Sequence, residues 1–158
     1  MTLGPWKMPR NVHRLMVERA EADYPEETCG FLFGTDNALE VVPMENVQNK
    51  LHVDSPDQFP RDARTAYYFD PLEMQKVLEA KEKTGIPFRA IYHSHPDHDA
   101  YFSPTDSEVA TVFGEPNYLG VVYLVYSVHA GKSGDVKAFD WSNAKSRYVE
   151  IPVEIGDG

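Results

Sequence analysis

The chain has 158 residues and a formal net charge of −10 at pH 7, with 15 basic and 25 acidic side chains. Its 42% hydrophobic and 25% charged residues are typical of a globular protein and exclude disorder and collagen-like order. The acidic balance disfavours nucleic acid as a partner, because phosphate groups repel it, and no stretch approaches the ~18 apolar residues of a membrane span. We therefore expect one domain over residues 1–158.

The single cysteine, Cys29, excludes an internal disulfide and a cysteine-rich zinc site. The first ten residues, MTLGPWKMPR, lack the apolar core of a signal peptide. Together these features predict a reducing, cytoplasmic location. The oligomeric state stays open.

The first third of the chain predicts a helix followed by two strands. A helical pattern opens at Pro9 and ends before Pro25. The run CGFLFG, residues 29–34, predicts a buried strand, and a turn at 34–37 leads into a second strand at about 39–46. Apolar side chains at helical spacing are expected to form the buried face of the helix: Val12, Leu15, Met16 and Ala20.

The middle of the chain is less regular. Residues 50–64 contain two prolines and no periodicity, so we expect a long surface loop there. A short strand is predicted at 67–69. A helix that starts at Pro71 ends at Gly85, where glycine is favoured. The next strand is predicted at 88–93.

The last third predicts one more helix and three strands. The helix opens at Ser103–Asp106, in the sequence SPTD, and runs to about Phe113. Strands follow at about 119–128, 136–141 and 147–153. The resulting order, α-β-β-β-α-β-α-β-β-β, predicts an α/β or α+β domain with a mixed sheet and helices packed on it.

Three of the six histidines fall within six residues, in the sequence HSHPDH that begins at His93. Residues two apart in a strand project from the same face, so His93 and His95 can present their imidazoles to one ion. Two imidazoles and a carboxylate, with a fourth position open, are the ligands of a catalytic zinc site. The pattern therefore predicts a metal centre at the end of this strand.

The residues themselves leave the third ligand open. Asp106 lies eleven residues after His95, and it is also expected to form a capping box with Ser103 at the start of the helix. Capping and metal binding are compatible, because a carboxylate in the first helical turn faces back toward the strand end. Three other residues compete for the role: Asp97, His98 and Asp99.

Two families have motifs similar to this segment. HSHPDH fits the H-x-H-x-D-H pattern of the metallo-β-lactamases, but that family needs more chain, and only one histidine, His129, follows His98. The longer segment HSHPDHDAYFSPTD resembles the motif of the JAMM (MPN-plus) metallopeptidases. That family also carries an upstream glutamate in P-x-E-x-x-G-x-L-x-G, which stands here as PEETCGFLFG with Glu27 in the matching place.

The JAMM resemblance runs from about Met8 to Trp141 and includes the closing stretch KAFDW. It implies a single MPN-type domain with a curved mixed or antiparallel sheet flanked by helices, similar to the cytidine deaminases. It also implies one zinc ion per chain, held by His93, His95 and Asp106. Glu27 is then the general base, and Ser103 donates a hydrogen bond to the oxyanion.

The same resemblance implies the substrate class. JAMM members cut peptide or isopeptide bonds after the C-terminal Gly-Gly of ubiquitin-like proteins, and small prokaryotic members are associated with ubiquitin-like sulfur carriers. Loops 50–64 and 97–102 are the expected walls of a narrow channel for the tail, with Tyr101 and Phe102 either contacting substrate or packing. Isopeptide, linear peptide and aminoacyl leaving groups remain open.

Two rival functions belong to other classes. A non-catalytic MPN scaffold that binds protein partners is the main alternative, although scaffold members usually lack the zinc ligands present here. A zinc deaminase requires the H-x-E and P-C-x-x-C pattern, which one cysteine cannot supply. The sequence therefore favours a zinc-dependent hydrolase.

Overall fold

The computed structural model describes residues 3–157. The strands in this range are β1 (Trp6–Met8), β2 (Cys29–Thr35), β3 (Ala38–Met44), β4 (Phe88–Pro96), β5 (Thr111–Val112), β6 (Glu115–Pro116), β7 (Val122–His129), β8 (Lys132–Ser142), β9 (Arg147–Ile151) and β10 (Val153–Ile155). The helices in the same range are α1 (Arg10–Asp23), α2 (Gln48–Asp54), α3 (Pro71–Lys83) and α4 (Pro104–Ala110).

A six-stranded sheet forms the centre of the fold, in the order β3-β2-β4-β7-β8-β9. Its central neighbours β4 and β7 are parallel, and its other neighbouring strands are antiparallel. Outside it, β1 pairs with β10 and β5 pairs with β6. The predicted fold class, an α+β arrangement with a mixed sheet and helices packed on it, is confirmed. The predicted domain extent stays a prediction, since residues 1, 2 and 158 lie outside the described range.

Alternating side chains of β4 contribute to both faces of the sheet. Ala90 and Tyr92 belong to an apolar core that includes Val12 and Met16 of α1. Ile91 belongs to a second core on the opposite face, which receives side chains of α3 and α4. The odd-numbered residues that follow Ile91 along β4 therefore point toward the α3 and α4 side, and this alternation decides where the histidines lie.

The three predicted helices are confirmed with changes at their edges. Leu15, predicted to lie on the buried face of α1, is 49% exposed. Asp70 caps α3, because its carboxylate accepts hydrogen bonds from the Leu72 and Glu73 backbone N–H groups. The predicted extension of α4 to Phe113 is wrong. The chain leaves the helix after Ala110 and forms the β5–β6 hairpin.

The segment between β3 and α3 differs most from expectation. The predicted loop at 50–64 is partly wrong, because α2 occupies the first residues of that range. The strand predicted at 67–69 is also wrong, since this segment joins no sheet. Its aromatic character has another cause: Tyr67 and Phe69 pack into the fold by their side chains, while the Tyr68 carbonyl accepts a hydrogen bond from Val47 N–H.

The other predicted strands are confirmed within a few residues, with two exceptions. The strand predicted at 147–153 is divided into β9 and β10 at Pro152, which has no N–H to donate to a ladder. The short strand β1 was not predicted. Among residues 3–157, none of the helices combines the length and the apolar character needed to cross a bilayer.

Candidate metal centre and active site

Two histidines lie at the carboxyl end of β4, on the face that α4 covers. In the parallel ladder His93 is opposite Val125 of β7, and in the antiparallel ladder it is opposite Cys29 of β2. His93 is fully buried and His95 is 6% exposed. Their Nε2 atoms are 3.1 Å apart. The sheet therefore holds two imidazoles side by side, as the two-residue spacing predicts.

Asp106 lies opposite this pair, in the first turn of α4. The predicted capping box is present: Ser103 Oγ accepts from Asp106 N–H, and the Asp106 carboxylate accepts from Ser103 N–H, both at 3.0 Å. One carboxylate oxygen lies 3.3 Å from His93 Nε2 and the other lies 3.2 Å from His95 Nε2. The cap thus orients the same carboxylate that faces the two imidazoles.

These separations fit a tetrahedral metal ion. Zinc with nitrogen and oxygen ligands at about 2.0–2.1 Å places its ligand atoms roughly 3.3 Å apart, and the observed separations are 3.1, 3.2 and 3.3 Å. The trio of His93, His95 and Asp106 is also buried. Two imidazoles and one carboxylate are a donor set that zinc favours, with a fourth position left for water or substrate.

The surrounding residues fix the two imidazole rings. His95 Nδ1 is 3.0 Å from the carbonyl oxygen of Asp99, a contact that sets the tautomer and leaves Nε2 as a ligand atom. Tyr67 stacks on His93 with ring centroids 4.5 Å apart, and Tyr101 packs edge-on against His95 at 5.0 Å. Supporting contacts of this kind keep metal ligands in a productive orientation.

Glu27 lies two residues before β2 and lines a cavity together with His95 and Asp106. It is 5% exposed, and its backbone is fixed at both ends: its N–H donates to the Ala63 carbonyl at 2.7 Å, and its carbonyl accepts from Asn46 Nδ2 at 3.0 Å. Burial, followed by the negative charge of Asp106, raises the pKa of Glu27 well above its ordinary value, and Arg61 opposes this shift. A carboxylate with a raised pKa is suited to receiving and returning a proton.

The carboxyl of Asp106 responds in the opposite way. Burial alone would raise its pKa, but the neighbouring His93 and the hydrogen bonds from His93, His95 and Ser103 N–H hold the pKa well below its ordinary range. Asp106 is therefore ionised, as a metal ligand must be. Two carboxylates in one cavity thus have pKa values shifted in opposite directions, which is typical of sites that divide acid–base and binding roles.

A cavity of about 230 Å³ connects these groups. Glu27, His95, Ser103 and Asp106 all line it. Its outer wall receives Arg61 from the segment after α2 and residues from the loop that follows β4 and from α4: His98, Tyr101, Thr105 and Val109. The two predicted channel loops thus each supply part of the wall.

The other candidate ligands lie outside the buried trio. The Asp97 carboxylate accepts hydrogen bonds from Tyr24 OH at 2.7 Å and from Ala130 N–H at 2.9 Å. The Asp99 carboxylate lies 3.5 Å from the exposed ring of His129. Neither belongs to the buried trio, nor does the exposed His98.

Of the two aromatic residues predicted beside the cavity, only Tyr101 lines it. The ring of Phe102 turns the other way, into a cluster with Tyr123, Phe139 and Tyr148 at centroid distances of 5.1–5.3 Å. Phe102 therefore packs, which is the second of the two roles that the sequence predicts for it.

Sequence reasoning missed three residues that shape the site: Asn46, Arg61 and Tyr67. Asn46 lies just after a strand, a position where asparagine often bonds to backbone, and that was an available signal. The aromatic run that contains Tyr67 has the composition of a strand, so the sequence predicts a strand there and not a cavity wall. No local pattern distinguishes Arg61, which is one basic residue in an irregular segment.

Comparison with known proteins agrees with this geometry. The sequence profile of the family described as prokaryotic homologs of the JAB domain matches residues 9–142. A desampylase of Haloferax volcanii is 34% identical over 137 residues, which are 87% of this chain and 85% of that protein. The fold resembles a solution structure of a protein from Desulfitobacterium hafniense, with a TM-score of 0.69, 20% identity, and coverage of 96% of this chain and 93% of that one.

Two shorter matches carry names of the same kind. A probable TtuB-protein conjugate cleaving protease of Thermus thermophilus is 38% identical over 103 residues, 63% of this chain and 62% of that protein. A CysO-cysteine peptidase of Mycobacterium tuberculosis is 36% identical over 99 residues, 61% of this chain and 59% of that protein. The chain thus matches about three fifths of the length of each of these two relatives.

Proposed function

Since the chain belongs to the family of prokaryotic homologs of the JAB domain and is a hydrolase, we propose that it is a zinc-dependent peptidase. Its proposed substrate is a conjugate of a ubiquitin-like or sulfur-carrier protein, in which it cleaves the bond that follows the C-terminal Gly-Gly. One observation carries this proposal: a buried trio of two imidazoles and one ionised carboxylate borders the same cavity as a buried glutamate with a raised pKa.

In this proposal His93, His95 and Asp106 hold one zinc ion. Zinc bound there supplies Lewis-acid polarisation of the scissile carbonyl and lowers the pKa of a bound water to roughly 7. The protein fixes the ligand atoms in advance through the β4 ladder, the α4 capping box and the contact from His95 to the Asp99 carbonyl. The three proposed ligand residues are therefore oriented before a metal ion binds.

Glu27 takes the proton from the attacking water and returns it to the leaving amine. Its burial supports this role, because a carboxylate of ordinary pKa is a weaker base for a proton transfer near neutral pH. Ser103 stabilises the oxyanion. Since its Oγ already accepts from Asp106 N–H, its own hydroxyl hydrogen is free to donate to the oxyanion that forms at the carbonyl.

The substrate class rests on the family and on the names of the relatives. A desampylase, a probable conjugate-cleaving protease and a CysO-cysteine peptidase share this domain with different targets. An extended Gly-Gly tail needs less room than a tail with larger side chains, which suits a cavity of about 230 Å³. A cytoplasmic setting belongs to the same proposal, since the only cysteine is free and buried.

Cleavage of a carrier fusion tests the proposal. The substrate is a sulfur-carrier protein whose terminal Gly-Gly is joined to a short reporter peptide. We expect cleavage after Gly-Gly by the wild-type protein, loss of cleavage after a strong chelator, and recovery when zinc is added. Chelator-resistant cleavage contradicts the metal mechanism. Binding of the carrier without any cleavage, in protein shown to contain zinc, favours the scaffold alternative.

A further inference from the structure

The catalytic cavity is asymmetric, because its two ends open into different surroundings. On one side Tyr67 and Val109 are shared with a mostly apolar cavity of about 180 Å³ beside α3. On the other side Arg61, Thr65 and His98 are shared with a groove of about 550 Å³. This second groove is polar and carries basic side chains, although the chain as a whole has a net charge of −10.

Most ionisable side chains of this second groove already have a partner. Arg64 binds Asp62, with 2.8 Å between Arg64 Nη2 and Asp62 Oδ2. Asp97 is occupied by Tyr24 OH and by a backbone N–H. His52 uses Nδ1 for the Phe59 carbonyl at 2.8 Å. The groove therefore has few unsatisfied charges.

Arg61 and His98 are the exceptions among the described residues, and of the two Arg61 carries a permanent charge. Within residues 3–157 its guanidinium forms no ion pair or hydrogen bond, while Arg61 lines both the groove and the catalytic cavity. The backbone that carries it is held in place: the Arg61 carbonyl accepts from the buried Gln48 side chain at 2.9 Å, and two residues later Ala63 N–H donates to Asn49 Oδ1 at 2.8 Å. A fixed backbone with an unpaired cation is suited to an anionic ligand.

Arg61 and Glu27 line the same cavity, so we expect Arg61 to meet the part of a substrate that lies nearest to Glu27. The Ala63 carbonyl binds Glu27 N–H, so the segment that carries Arg61 is joined directly to the residue that delivers the proton to the leaving amine. In an amino-acid leaving group the α-carboxylate is two bonds from that amine. In a lysine side chain no carboxylate lies near the amine.

We propose that Arg61 forms a carboxylate-binding subsite for the leaving group, so that the enzyme prefers to release a single amino acid with a free α-carboxylate from the carrier tail. The inference rests on the proposed function. In the reaction, water adds its oxygen to the Gly carbonyl carbon, the C–N bond breaks, and Glu27 transfers the water proton to the departing nitrogen. The amino acid leaves with its carboxylate on Arg61.

Three substrates built on one Gly-Gly carrier test the subsite: carrier–alanine with a free carboxylate, carrier–alanine amide, and carrier joined to the ε-amine of a blocked lysine. We expect kcat/KM of the wild type to be about ten- to a hundredfold higher for the acid than for the amide, the range for hydrogen bonds between charged groups. Arg61→Ala lowers this ratio toward one, and Arg61→Lys keeps part of it, since lysine retains the charge without the planar fork.

Arg64→Ala is the matched control, because Arg64 lies in the same groove but is paired with Asp62 and does not line the catalytic cavity. We expect it to keep the acid-to-amide ratio of the wild type. Equal cleavage of acid and amide by the wild type overturns the subsite and leaves the proposed function intact. An acid-to-amide ratio that stays at the wild-type value in Arg61→Ala has the same meaning. Failure to cleave any of the three substrates overturns both.

Discussion

The end of β4 and the segment from residue 45 to residue 70 form opposite walls of the same cavity by different means. His93 is positioned by two backbone ladders, His95 by the ladder with β7, and Asp106 by a capping box. Regular hydrogen bonding of this kind leaves little freedom to the ligand atoms. The opposite segment contains one short helix, α2, and long stretches without helix or strand.

Side-chain amides replace the ladder in this second region. Asn46 donates to the Glu27 and Ala66 carbonyls and accepts from the Gln48 and Tyr68 N–H groups. One asparagine therefore joins four backbone groups that no sheet satisfies. The comparison teaches that the proposed metal ligands are placed by regular elements, whereas the irregular wall depends on a few polar side chains.

The largest expected effect comes from Glu27, the proposed base. Glu27→Gln removes the proton acceptor but keeps the shape of the side chain, so we expect turnover to fall by a factor on the order of 10²–10⁴, the usual contribution of general acid–base catalysis. Zinc content should stay at the wild-type level, since Glu27 is not one of the three ligands.

The matched control for that variant is Glu26→Gln, which changes the adjacent carboxylate outside the cavity. We expect it to keep wild-type turnover. Steady-state kinetics and metal analysis on the same preparations check both variants. Turnover of Glu27→Gln within tenfold of the wild type would sink the assignment of the base.

The next effect separates two roles of one residue in the regular region. Ser103→Ala should lower kcat by about 10²–10³, the loss typical of one oxyanion donor, and should destabilise the protein by about 1 kcal/mol through loss of the helix cap. Ser103→Gly loses the same hydroxyl but costs only a few tenths of a kcal/mol in capping. Equal kinetic losses with unequal unfolding midpoints are therefore expected, and a kinetic loss that follows stability contradicts the oxyanion role.

A smaller effect tests the side-chain scaffold of the irregular region. Asn46→Ala leaves several partly buried backbone groups without partners, so we expect the free energy of unfolding to fall by about 2 kcal/mol or more. Asn143→Ala is the control, because Asn143 is exposed and accepts one hydrogen bond from Trp141. That variant should stay within about 0.5 kcal/mol of the wild type. Urea unfolding compares them, and similar losses in the two variants contradict the scaffold role.

The smallest effect is a pH dependence in metal-free protein. The pKa of Glu27 in the folded state is raised above its value in the unfolded state. The protonated form of Glu27 therefore contributes to the free energy of unfolding, and this contribution is complete below the unfolded-state pKa of about 4.3. That stability is lost as pH rises through the folded pKa. Metal-free Glu27→Gln should therefore be more stable than metal-free wild type at pH 8, with a gap that narrows toward pH 4. Urea titrations in chelator measure this gap, and a gap that widens on acidification contradicts the account.

The sequence predicted the regular region well, for physical reasons. The apolar runs of β2, β4 and β7 are buried on both faces and therefore stand out in the sequence. The H-x-H spacing places both imidazoles on one face, and SPTD is a recognisable helix start. Glu27 depended on the family motif, because two adjacent glutamates after a helix carry no signal of burial.

The irregular region could not be predicted in the same way. The helix α2 is only two turns long and is followed by two prolines, so its periodicity is too short to detect. Tyr67 and its aromatic neighbours have the composition of a strand, yet they are fixed by side-chain packing and by Asn46. Arg61 acquires its environment only when residues distant in sequence, Gln48 and Glu27, come together.

The metal content of purified protein tests the central claim most directly. The roles proposed for the residues that line the cavity all require a bound metal ion. We predict close to one zinc ion per chain in the wild type, none in His95→Ala, and a full complement in His98→Ala, whose ring lines the same cavity outside the ligand trio. Absence of zinc in the wild type after dialysis against it, or retention in His95→Ala, would contradict the account.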